Sequence, residues 1–319
     1  MFGTLLGGLP SPSGSAETEA VEAAVRAQES AGLEPITDGR LRPASPFAID
    51  AATWAGWQAP LTVEDWRATA ALTDRAVKQA LPGPYSLTRA LARSAKARER
   101  AALAAADGLH AEVMALAAAG CPLIEIEETA AHLIGDDETE RQIYVAAHRR
   151  LTEAVEGTHL SLSIVSGSAW AAGASTILDA PYASLAVDLV AGPDNWRLVA
   201  ITPGDRGIVA GAVSPGPGGD DGPEVLLWAA NYAASTGGRG LARVGLGTAG
   251  SLATLTWDAA LVKLERLGRA VRIATMPPGE AQAAELDPRS INARSAALGR
   301  AVPSNPRPEE GRRGRTIPG

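Results

Sequence analysis

Short runs of branched apolar residues alternate with longer Ala-, Glu- and Arg-rich stretches from the amino terminus to about residue 275. Apolar runs of strand length separated by helix-length amphipathic segments are the signature of repeated β/α units around a parallel sheet. The pattern predicts strands over 4–9, 34–38, 80–86, 123–127, 159–165, 184–190, 208–213 and 243–247. Helices are predicted between them over 16–31, 63–78, 90–119, 137–155, 224–233 and 255–271. The stretch 192–206 fits either a short strand or a helical turn. Eight strand segments are the number that a closed (β/α)8 TIM-type barrel requires, and a doubly wound open sheet is the structural rival.

The pattern changes after residue 276. Residues 277–319 are rich in Pro, Gly and Arg and have little apolar surface to bury, so the expectation is one barrel domain over 1–276 followed by a largely disordered tail with at most one weak helix over 280–300.

Composition narrows the partners. The chain has 46% hydrophobic and 20% charged residues, enough for one large core. Its 29 basic and 36 acidic residues give a net charge of −7 without a basic cluster in the folded part, which argues against nucleic acid. The single cysteine, Cys121, excludes an internal disulfide and a thiolate-rich metal site. With no recognisable leader and no apolar run of the length needed to span a bilayer, the expectation is cytoplasmic residence and no membrane partner.

Candidate chemistry begins at Leu123-Ile124-Glu125-Ile126-Glu127-Glu128. On a strand, Glu125 and Glu127 share one face and Ile124 and Ile126 the other. Buried carboxylates without partners cost several kcal/mol, so a strand ending in three of them predicts a cation, a raised pKa or a ligand. The alternative is that Glu127 and Glu128 are solvated loop residues. Barrel chemistry sits at the carboxyl ends of strands. Collecting those ends adds Gly7 and Gly8, Asp38 and Arg40, His159 with Ser161, and Asp188. The expected pocket has Glu127 and His159 as proton-transfer groups and Asp38, Arg40, Glu128, Gly7 and Gly8 as substrate contacts. Arg40 with Glu127 also fits a buried structural ion pair that needs no ligand.

The ordered motifs Leu6-Gly7-Gly8-Leu9-Pro10, Thr37-Asp38-Gly39-Arg40, Gly83-Pro84-Tyr85-Ser86, Ile124–Glu128 and Thr158-His159-Leu160-Ser161 carry a resemblance to a family. With the later Leu178-Asp179-Ala180, Asp188 and the 244–252 loop, they resemble the catalytic domain of cobalamin-independent methionine synthase, within the superfamily that includes uroporphyrinogen decarboxylase. The resemblance implies a barrel, a zinc held by His, Cys, Glu and Cys, and methyl transfer from a folate to homocysteine. Carried onto this chain, His159 matches the His ligand and Asp188 falls near the Glu ligand. Ser161 stands in place of the first Cys, and Thr248 or Ala249 in place of the second. Arg40 replaces an acidic residue, and Val213 replaces a His.

Three functions follow as expectations. The first is a divergent methyltransferase of methionine biosynthesis and one-carbon metabolism, with its zinc thiolates missing. The second is a non-catalytic ligand-binding or regulatory barrel, and the third a decarboxylase- or lyase-like enzyme. The expected partner is a small molecule, an amino-acid thiol, a folate or a small carboxylate, with a partner protein as a further possibility.

Overall fold

The computed structural model describes residues 1–286 except 44, 92–93, 219–220 and 278; the expectations for residues beyond 286 lie outside the described residues. Seven strands are present among them: β1 Phe2–Thr4, β2 Lys78–Pro82, β3 Leu123–Glu128, β4 His159–Ile164, β5 Ser184–Asp188, β6 Gly207–Val213 and β7 Val244–Thr248. All pair in parallel in the order β1-β7-β6-β5-β4-β3-β2. The sheet curls, and helices cover its outer face.

The helices are α1 Glu17–Ser30, α2 Ala51–Ala55, α3 Val63–Ala70, α4 Pro84–Arg89, α5 Ala95–Ala118 and α6 Glu138–Thr152. They continue with α7 Ala174–Ile177, α8 Asn195–Ile201, α9 Pro223–Ser235, α10 Trp257–Thr275 and α11 Glu280–Glu285. Local chemistry sets several starts. Asp137 accepts from the amides of Thr139 and Glu140 to cap α6, Thr256 caps α10 through the Ala259 amide, and Pro223 opens α9. The ambiguous 192–206 stretch resolves as the helix α8. The predicted helix 63–78 ends at Ala70, because Lys78 already belongs to β2.

The eighth regular strand expected over 34–38 is absent among the described residues. Ile36 makes one isolated parallel bridge to Val77. The segment is nonetheless fastened on both sides: the Glu34 amide donates to Gly3 O at 2.9 Å, Ile36 to Ala76 O at 3.0 Å and Lys78 to Ile36 O at 2.9 Å. Pro35 has no amide hydrogen to donate, so a continuous ladder cannot form there. Buried Gln28 of α1 completes the anchoring through the Thr37 backbone, donating to its carbonyl at 2.7 Å and accepting from its amide at 3.0 Å.

Strand alternation separates two environments. Ile124, Ile126, Leu160, Leu162, Ile164, Leu185, Val187 and Ile208 pack outward in the main core with the helices, each such side chain contributing roughly 1.5–3 kcal/mol when fully buried. Inside the curl, Leu6, Ala186 and Val209 form a small separate cluster with Phe2 against it. A Cβ at Gly245 would lie 2.5 Å from the Phe2 ring, so the ring depends on that glycine. By length and composition α5 is apolar enough to cross a membrane. Here Ala102, Ala105, Ala106, Leu109, Val113 and Leu116 form a buried face, and a Cβ at Gly108 would meet Trp54 O at 1.7 Å, which places α5 directly against α2.

Candidate functional site at the strand ends

The turn after residue 36 aims a cation across the sheet. Thr37 Oγ1 accepts from the Gly39 amide at 3.0 Å and Asp38 Oδ1 from the Arg40 amide at 2.8 Å. Gly39 and Arg40 both have left-handed backbone, with φ of 70° and 58°. For a non-glycine residue that conformation carries strain and is a pointer to function. From this turn the Arg40 guanidinium reaches Glu127 with both forks: Nη1 donates to Oε1 at 3.1 Å and Nη2 donates to Oε2. The Phe47 ring lies 3.6 Å from the guanidinium carbon, on its face. Glu127 is 4% exposed, and Arg40 Nε is buried without a partner. Asp38 also stands near Arg42, at 3.7 Å. Burial pushes the Asp38 carboxyl up, opposed by the Arg40 amide and by Arg42.

Gly7 and Gly8 serve this turn through close packing of the chain on itself. Gly7 has φ 84°, and a Cβ there would lie 2.5 Å from Ser251 Cα. A Cβ at Gly8 would lie 3.1 Å from Gly39 O and 3.3 Å from Arg40 Cβ. The first loop is thus wedged between the Arg40 turn and the loop after β7.

Glu128 points the other way. Its position on β3 turns it into the helix layer, where it is fully buried and accepts from the amides of Tyr85 and Ser86 at 3.0 and 2.8 Å, from Ser86 Oγ, and from His148 Nε2 at 2.9 Å. It caps the start of α4, and a Cβ at Gly83 would overlap it at 2.1 Å. His148 Nδ1 in turn lies 2.6 Å from Tyr182 OH. Burial and the Glu128 charge raise Tyr144 and Tyr182 well above the usual phenol range. These contacts occupy Glu128 with its own chain, in contrast to the substrate contact expected of it.

His159 and Asp188 are not brought together. His159 is the first residue of β4, in register with Leu123 at the start of β3, whereas Asp188 is the last residue of β5. Val187 aligns with Ile164. The two side chains are therefore separated by about six strand positions, roughly 20 Å. His159 Nε2 lies 2.8 Å from Ser184 Oγ, which donates to Ser161 Oγ at 2.9 Å, and burial lowers the His159 pKa. Asp188 Oδ1 accepts from the amides of Val190 and Ala191 at 2.9 and 2.8 Å. Burial raises its carboxyl, and those backbone donors oppose the rise. Thr248 Oγ1 is tied to Leu6, donating to its carbonyl at 2.7 Å and accepting from its amide at 2.9 Å. Cys121 is buried just before β3, with burial pushing its thiol up to about 12. Among the described residues no group of three or more His, Cys, Asp or Glu is placed to hold a metal ion. The zinc that the resemblance implies does not fit this donor set, because the His and the carboxylate lie at opposite ends of the sheet and hydroxyl or apolar residues replace the thiolates.

Sequence reasoning missed Lys78, whose Nζ donates to Glu125 Oε2 at 2.7 Å deep inside the curl. The only signal was its distance in sequence from the apolar face of the helix it was assigned to.

A curled all-parallel α/β sheet with helices on its outer face defines a TIM-barrel-like scaffold. Residues 52–170 match the family described as "Cobalamin-independent synthase, Catalytic domain". The resemblance to that catalytic domain is therefore shown, and the matched part runs from α2 through β4, including the acidic end of β3. A B12-independent methionine synthase from Shewanella sp. W3-18-1, solved in complex with selenomethionine, superposes with a TM-score of 0.69 at 16% identity, covering 85% of this chain and 97% of that one. A putative vitamin-B12-independent methionine synthase from Listeria monocytogenes superposes with a TM-score of 0.66 at 17% identity, covering 88% of this chain and 98% of that one. At these identities the likeness is one of fold. No curated protein matches the chain.

Proposed function

We propose that this chain is a divergent methionine-synthase-like barrel that binds a small amino acid at the carboxyl ends of its strands without a zinc–thiolate centre. The observation that carries this proposal is the bidentate Arg40–Glu127 pair, held by a left-handed turn, with Glu127 buried and Arg40 partly buried. Its two charges match the two charges of an α-amino acid: a carboxylate satisfies the guanidinium fork and an ammonium the Glu127 carboxylate. The Shewanella relative's complex with selenomethionine supports the choice of ligand class. Part of the proposal is a closed ring in which residues 34–38 stand between β1 and β2 as the eighth, irregular member. Zinc-assisted methyl transfer to homocysteine lacks its donor set here, so the barrel acts as a ligand-binding protein of methyltransferase ancestry.

Thermal-shift titration with L-methionine, homocysteine and a methyl-folate tests the proposal. A ligand at one hundred times its Kd stabilises the native state by about 2.7 kcal/mol. Methionine or homocysteine is expected to raise Tm, and the Arg40→Met/Glu127→Leu double variant to abolish the shift. A shift by folate alone, or by none of the three, would overturn it. Stoichiometric zinc in protein purified without chelators, lost in Asp188→Ala, would restore the methyltransferase reading.

A further inference from the structure

The amino-terminal mouth of the curled sheet, at the end opposite Arg40, opens into a cavity of about 520 Å3, within the range of small-molecule sites. Its origin is legible in the strands. Interior positions of such sheets are normally filled by bulky branched residues. Here they carry Ser161, Ser184 and Gly207, which are in register across β4, β5 and β6. Phe2 and Val209 supply apolar wall.

At the deep end stands Glu125, 2% exposed. Its Oε2 accepts from Lys78 Nζ at 2.7 Å, but its Oε1 is buried with no hydrogen-bond partner. An unsatisfied buried carboxylate oxygen is costly and is relieved by any donor brought against it. Lys78 already balances the charge, so a neutral donor is accommodated, whereas a further cation would be left unbalanced beside the Lys78 ammonium. On β4 and β5, Ser161 Oγ, Ser184 Oγ and His159 Nε2 form one hydrogen-bonded chain, with steps of 2.9 and 2.8 Å. Ser161 is the register partner of Glu125, and the polar wall is thereby ordered beside the unpartnered oxygen.

We propose that this cavity is a second ligand site, for a small apolar alcohol whose hydrocarbon body lies against Phe2 and Val209 and whose O–H donates to Glu125 Oε1. The Lys78–Glu125 pair stands between this cavity and Arg40.

Isothermal titration of the full chain with benzyl alcohol and toluene tests it. Benzyl alcohol is expected to bind at least about tenfold more tightly than toluene, the margin of one hydrogen bond to a charged acceptor. Ser161→Leu, which fills the cavity, is expected to abolish binding, with Ser184→Val as the second variant should the first fail to fold. Saturating L-methionine should leave binding unchanged, which separates this site from the one at the strand carboxyl ends. Equal affinity for toluene, no binding of any probe, or undiminished binding by a folded cavity-filled variant would overturn the proposal.

Discussion

Arg40 and Glu127 are 87 positions apart in the chain yet share two part-buried hydrogen bonds. Removing one partner of such a pair leaves the other charge buried, which costs about 3–5 kcal/mol, whereas replacing both with apolar residues is often neutral. Arg40→Met is therefore expected to lower the free energy of urea unfolding by that amount, and Arg40→Met/Glu127→Leu to recover most of it. Arg40→Lys should fall between, because an ammonium cannot reproduce the fork or stack as well on Phe47. A double variant no more stable than the single would mean that the pair is not an isolated electrostatic unit. Both residues were legible in the sequence, Glu127 from strand alternation and Arg40 from its place after a glycine turn. The start of β4 at His159 was legible too, since the expected strand 159–165 opens on it; counting His159 among the carboxyl ends conflicted with that boundary, and the structure keeps it at the opposite end from Glu127. Lys78 was hidden because the expected helix was carried on to 78, across residues 71–77, which hold no glycine or proline to mark the change.

At the scale of elements, β3 divides its acids between two layers: Glu125 and Glu127 face the interior and Glu128 faces α4 and α6. The alternation was readable, and so were six of the seven strands to within a few residues. The function of the outward acid was not, because α4 is a six-residue helix too short to give a periodic signal. Glu128 satisfies the amides of Tyr85 and Ser86, which the helix start leaves without intrahelical partners. Glu128→Ala should leave those donors and His148 Nε2 unpartnered, lowering stability by about 3 kcal/mol or more from the sum of such losses. Hydrogen exchange of the Tyr85 and Ser86 amides should accelerate beyond the change expected from global stability. Uniform acceleration along the whole chain would show that Glu128 acts on the core as a unit and does not specifically hold α4.

For the molecule as a whole, the question is whether the curl is a closed ring. Strand counting from sequence yielded eight segments, and the described residues form seven strands with a bridged segment at the eighth position. Pro35 interrupts the ladder by lacking a donor, a local effect that apolar patterning cannot register. Closure then depends on a few bonds: Glu34 to Gly3 on one side, Ile36 and Lys78 across to residues 76 and 36 on the other, with Thr4 Oγ1 donating to Pro35 O at 2.7 Å. If these close the ring, the Glu34 and Ile36 amides should open only with the core and exchange as slowly as those of β3 and β4, with the same denaturant dependence. Thr4→Val should selectively speed exchange at residues 34–36 while leaving β3 and β4 protected, since it removes one crossing bond and little volume. Exchange of Glu34 and Ile36 at loop rates in the wild type would instead mean that the edges of β1 and β2 separate readily. Arg40, carried on the turn that follows this segment, would then be mobile relative to Glu127, and the amino-acid site would have to be assembled by its ligand.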